Sequence, residues 1–188
     1  MQIIMLVSVK SKCVASASRM RIENRRRAVT FPAMSLERIL LAAQGYLELE
    51  MPGEALAELD SLGAEERDRE DVLQFRLFVL MRGRLWSRAL DVCERLRRVF
   101  PEGSTGYIHG AFCLHELGRT AEAREVLLSG PPSLAREATY FYNLACYDAV
   151  LGNLAEATAF LRTSFEMDSK FRELAKYDPD LKPLSGLL

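Results

Sequence analysis

Histidine, tryptophan and cysteine are scarce in this 188-residue sequence, at two, one and four. The cysteines, Cys13, Cys93, Cys113 and Cys146, stand far apart with no CxxC spacing. That spacing excludes a thiol metal framework or a disulfide scaffold and points to reduced thiols in a cytosolic, cytoplasmic protein. The two histidines, His109 and His115, are six apart, off the i, i+4 spacing that places two ligands on one helix face. They are expected to be surface or groove histidines, and no metal is expected. GxGxxG, P-loop and GxSxG motifs are all missing, so the sequence implies no cofactor. A net charge of −1 gives the whole molecule no electrostatic case for nucleic acid or an anionic membrane. The apolar stretch Met1–Val9 falls far short of the roughly 18 residues that cross a bilayer, so a membrane protein is not expected. Glycine and proline are modest, at 11 and 7, while 49% of residues are apolar. Disordered and collagen-like classes drop out, and one domain or a short repeat array with a sizeable core remains.

Charge is uneven along the chain. Residues 1–34 hold seven Lys/Arg and one Glu, which leaves eighteen bases against twenty-five acids in residues 35–188. The basic segment lacks apolar periodicity and is expected to be a disordered N-terminal tail, a targeting segment, or a start called too early, with Met34 the initiator. Lys10 and Lys12 follow the apolar stretch instead of preceding it, which argues against a secretory signal. The Arg and Ser content suits a mitochondrial presequence better.

Self-similarity dominates the remainder. The segments GEALAELDSL, SRALDVCERL, AEAREVLLSG and AEATAFLRTS begin at Gly53, Ser87, Ala121 and Ala155, each 34 residues after the last. In register, Ala55, Ala89, Ala123 and Ala157 coincide, followed by Leu59, Cys93, Leu127 and Leu161. Four contiguous units result: 36–69, 70–103, 104–137 and 138–171. Within LERILLAAQGYLELE the apolar residues Leu36, Ile39, Leu40, Ala43, Tyr46 and Leu47 recur at three and four, the helical period. Each unit therefore predicts two helices of about a dozen residues with a turn between them. Alanine at unit position 20 lets the two helices approach closely, where a larger residue would cost about 1–3 kcal/mol. Gly130-Pro131-Pro132 should end the second helix of unit three near Ser129, because proline breaks the helical ladder.

A 34-residue helix-turn-helix period with these alanines resembles the tetratricopeptide repeat family. Position 8 is Ala43, Leu77, Ala111 and Ala145, and Pro101 is the only proline at position 32. Unit four matches best, with Phe141 at position 4, Leu144-Ala145 at 7–8, Gly152 at 15, Ala157 at 20 and Asp168 at 31. Unit one replaces the turn glycine by Met51-Pro52-Gly53, and unit two shifts it to Gly83. The resemblance implies an all-α, right-handed helical-repeat solenoid over residues 35–178. Residues 169–178 are read as a capping helix, with a C-terminal tail at 179–188.

The same resemblance implies a partner-binding groove lined by the first helix of each unit, at positions 2, 5, 9, 12 and 13. Carried over, these are Gln74, Phe78, Met81 and Arg82 from unit two and Ile108, Phe112, His115 and Glu116 from unit three. Unit four gives Tyr142, Cys146 and Ala149, and Asn143 at position 6 resembles an asparagine that hydrogen-bonds a ligand backbone. Phe78 and Phe112 have a second reading, as side chains that pack between helices. The groove has no lysine, unlike family members that grip acidic chaperone termini. The expected function is a non-catalytic scaffold or adaptor that binds an apolar or amphipathic segment of a protein or peptide. Homodimerisation is one expected assembly. The alternative is a small secretion or assembly chaperone that dimerises through its N-terminal region. An enzyme would require a pocket that gathers His115, Cys113 and Glu116. Charge differs by unit, at nine acids against three bases in unit one and five against seven in unit two. That contrast would orient a charged partner and raise its on-rate more than its affinity.

Overall fold

The second helices of the four repeats begin at Pro52, Trp86, Thr120 and Leu154, an unbroken 34-residue step in the computed structural model, which describes residues 35–186. In chain order the helices are α1 Leu36–Glu48, α2 Pro52–Asp60, α3 Ala64–Arg67, α4 Glu70–Arg82, α5 Trp86–Val99, α6 Thr105–Glu116, α7 Thr120–Leu128, α8 Ala138–Val150, α9 Leu154–Met167 and α10 Lys170–Ala175. Two 3₁₀ helices, Pro132–Arg136 and Pro179–Leu184, complete the regular structure of the described residues, which contains no strand. The chain is an α solenoid of helix-turn-helix pairs. Residues 1–34, and with them the basic segment and Cys13, lie outside the described residues.

Backbone geometry at position 15 explains why the turns repeat although their residues do not. Glu50, Arg84, Gly118 and Gly152 are 34 residues apart in succession, and all have left-handed φ, at 59°, 53°, 77° and 86°. Glycine enters that region freely, whereas a side chain there is disfavoured. Units three and four therefore use the residue the turn demands, and units one and two adopt the same turn without it. The period is imposed by what the helices bury. All four position-20 alanines are fully buried, and so are Ala43, Leu77, Ala111 and Ala145 at position 8.

The described residues divide into two compact units, one ending at Leu85 and the other beginning at Trp86. The boundary thus falls between the two helices of repeat unit two. In the first, α1 packs on α2 and α2 on α4. Its core holds Ile39, Ala43, Leu47, Ala55, Leu56, Leu59, Val72 and Leu77. Arg76 reaches from α4 to Asp60 at the end of α2, Nη1 to Oδ1 at 2.6 Å.

In the second compact unit, α6 crosses α5 at two glycines. A Cβ at Gly106 would stand 2.9 Å from the Cys93 carbonyl oxygen and 3.0 Å from the Arg97 nitrogen, and one at Gly110 would stand 3.2 Å from the Cys93 Cβ. The backbones touch because no side chain intervenes. Helix α7 ends at Leu128, ahead of Pro131 and Pro132, and the 3₁₀ helix that follows buries Leu134. Asp148, fully buried on α8, accepts from Arg124 Nε of α7 and from Asn153 Nδ2, both at 2.8 Å. That carboxylate pins α7 to α8 and closes the turn into α9. Helix α10 buries Phe171 and Ala175. The residues beyond Asp178, read from the sequence as a tail, form the 3₁₀ helix Pro179–Leu184, which packs on α8 and buries Leu181 and Leu184.

Candidate functional site

Helix α8 is apolar on nearly every side, with Tyr142 through Ala149 all buried, so it needs cover from several directions. One face meets α9 and another α7, while the C-terminal 3₁₀ helix lies on a third. On that last side three of the expected groove residues converge: Tyr142 and Cys146, one turn apart on α8, and His115 near the end of α6. Each makes a polar contact to the C-terminal segment. Tyr142 Oη donates to Asp178 Oδ2 at 2.8 Å, and Cys146 Sγ lies 3.8 Å from the same oxygen. His115 Nε2 is 3.1 Å from Asp180 Oδ2, while its Nδ1 is 3.0 Å from Thr120 Oγ1. Asp178 also caps its own helix, because its Oδ1 accepts from the Asp180 backbone N–H at 3.1 Å.

Leu181 and Leu184, three residues apart, are each 1% exposed and anchor the segment. Burying a leucine contributes roughly 1.5–3 kcal/mol, so two of them fix so short a helix where the polar contacts alone would not. Tyr142 stacks on Phe171 of α10 with ring centroids 4.8 Å apart, and His115 lies 5.1 Å from the Tyr147 ring. The site is therefore walled by aromatics and roofed by a turn with two carboxylates.

Electrostatics keep its protons in place. Burial, reinforced by the charges of Asp178 and Asp180, pushes the Cys146 thiol well up. The Tyr142 phenol is pushed up by burial and by Cys146 and Asp178. Both remain neutral donors to the Asp178 carboxylate. The arrangement holds hydrogen bonds and does not generate a nucleophile. Cys146 Sγ and the Asp178 and Asp180 carboxylates lie within 4.8 Å of one another, close enough to share a cation. A cation there would have to ionise a thiol that its surroundings hold neutral.

The other expected groove residues are placed as follows. Phe112 is 1% exposed and meets Trp86 edge-on at 5.5 Å, and Ile108 is buried one turn earlier. Asn143 is 1% exposed, and its Nδ2 has no hydrogen-bond partner among the described residues. Ala149 is buried, while Glu116 is exposed at the end of α6. In the first compact unit Phe78 and Met81 are 7% and 6% exposed, Gln74 donates to Glu70 at 2.9 Å, and Arg82 is exposed. Of the set, Arg82 and Glu116 are exposed, Gln74 and His115 are half-buried, and the aromatic side chains are interior. Cys113 is fully buried, and both His115 nitrogens are engaged with Thr120 and Asp180. His109 lies inside α6 at 6% exposure.

Sequence reasoning missed Asp178, Asp180, Leu181 and Leu184. A signal was present: an Asp before a Pro marks a helix N-cap and first turn as well as a stop, and leucines three apart share one helix face.

No protein-family model and no curated protein matches the sequence. Solved structures do resemble the fold. "MamA 41-end from Desulfovibrio magneticus RS-1" aligns with a TM-score of 0.65 at 16% identity, over 75% of this chain and 80% of that one. "MamA MSR-1 C2" gives 0.61 at 17% identity, over 89% and 98%. A MamA point mutant gives 0.60 at 15% identity, over 89% and 97%. The chain thus has a tetratricopeptide-like helical fold similar to that of the MamA structures. Among the described residues no helix is long and apolar enough to cross a membrane.

Proposed function

We propose that the protein is a non-catalytic interaction scaffold that binds a peptide or helix of a protein partner against the first helices of its repeats, α6 and α8 foremost. The observation that supports this reading is the convergence of His115, Tyr142 and Cys146 on one stretch of polypeptide: three side chains at positions that the tetratricopeptide resemblance implies for a groove contact the same chain segment. The neutral, hydrogen-bonding character of Tyr142 and Cys146 suits recognition and gives neither of them a start as a nucleophile. The MamA-like fold agrees with a scaffold. A photo-crosslinking side chain at position 116, exposed at the end of α6, is expected to trap the partner. The same group at position 125, exposed on α7, is expected not to. Adducts from 125 alone would move recognition to the second helices and remove this reading.

A further inference from the structure

Asp178 and Asp180 contact side chains at positions that the tetratricopeptide resemblance implies for ligand binding, and Leu181 and Leu184 are buried beside them. Asp178 meets positions 5 and 9 of unit four, and Asp180 meets position 12 of unit three. A cap that merely covered the last repeat would need apolar contacts alone. This segment instead meets three polar side chains, Tyr142, Cys146 and His115, and does so as one short turn. Resting on the scaffold reading above, we infer that Asp178–Leu184 is an intramolecular ligand, and that the partner presents the same chemistry: an acidic turn, acid-Pro-acid-Leu-x-x-Leu, that takes its place. The groove is selective for two carboxylates spaced i, i+2, because Tyr142 and Cys146 donate to the first and His115 meets the second. It also requires leucines one and four residues beyond the second acid, where Leu181 and Leu184 are buried.

A segment tethered two residues from the end of α10 is present at an effective concentration of about millimolar or more, so a free partner competes at a disadvantage. Its apparent affinity is reduced by the fraction of molecules in which the groove is open. The tether thus sets a threshold that only a matching or multivalent partner passes.

The test uses the full chain and a fluorescent synthetic peptide of residues 176–188, read by anisotropy. Leu181→Ala/Leu184→Ala weakens the tethered segment and leaves His115, Tyr142 and Cys146 untouched. It should bind the peptide at least tenfold more tightly than wild type. A peptide with both aspartates changed to asparagine should bind that variant at least tenfold more weakly, and so should the native peptide once His115→Ala is added. Equal affinity of wild type and the double-leucine variant for the native peptide would overturn the inference, as would indifference to the aspartates. If the double variant does not fold alone, Asp180→Asn replaces it, since that change keeps the side chain's shape and removes the negative charge that faces His115. It should give the same ranking with a smaller gap, and no gap would count against the inference. Wild-type dimerisation abolished by Leu181→Ala/Leu184→Ala would make a second copy the occupant and would also contradict the inference as stated. The two readings fail separately. Peptide binding without adducts at position 116 removes the scaffold and keeps the ligand chemistry, whereas adducts at 116 of equal yield in wild type and Asp180→Asn do the reverse.

Discussion

Burial lowers the pKa of His109 from 6.5 to about 4, because nothing charged compensates for the lost hydration. Between those values the unfolded chain binds a proton that the folded chain refuses. Stability contributed by the neutral ring is therefore complete above pH 6.5, falls as pH drops through the window, and is gone below about 4, a total of about 3 kcal/mol. Urea unfolding at about pH 7 and 4.5 should show the wild type losing about 2–3 kcal/mol more than His109→Leu. Equal losses would mean that the ring is hydrated in the folded state. The turn residues supply a second test of opposite signs. At Gly118 a Cβ meets nothing within 4 Å, so Gly118→Ala bears the cost of the left-handed φ alone, about 1–2 kcal/mol. Glu50→Gly relieves the same conformation and should stabilise by up to about 1 kcal/mol, measured by the thermal midpoint. Gly152 was legible as a turn residue from its place in the repeat. Glu50 and Arg84 were not, because their backbone is set by the helices on either side and not by their own preference.

Among the elements, α5 and α6 cross closely enough for backbone to meet backbone at Gly106. Gly106→Ala puts a methyl group against the Cys93 carbonyl, a backbone atom that cannot swing aside, and should cost about 1–3 kcal/mol. Gly45→Ala, inside α1 with open space around it, should instead stabilise by about 0.5–1 kcal/mol, the ordinary helical preference for alanine. Chemical denaturation of both variants decides the matter, and the same sign for both would refute the close approach. Sequence periodicity found the alanines at position 20, since they repeat. It could not find Gly106, which occurs once and, read locally, only weakens a helix. The C-terminal 3₁₀ helix was hidden for a related reason. Asp178-Pro179 ends one helix and starts another with the same local chemistry, and only the apolar side of α8 decides which.

At the scale of the whole molecule, the 34-residue step carries the helix pairs and their order, and both are legible in the sequence. Neither that step nor the tetratricopeptide resemblance shows how far Phe112 and Tyr142 are buried, because their cover comes from Trp86 and Phe171, which lie outside α6 and α8. We expect the partner to bind on the side of α6 and α8 that now holds residues 178–184. Hydrogen exchange of the full chain, with and without the partner trapped at position 116, decides this. Displacement predicts faster exchange at Asp180 and Leu181, whose amides are bonded to Asp178 in the free chain, with α8 as protected as before. Unchanged exchange in that segment, together with new protection on α7 and α9, would contradict it.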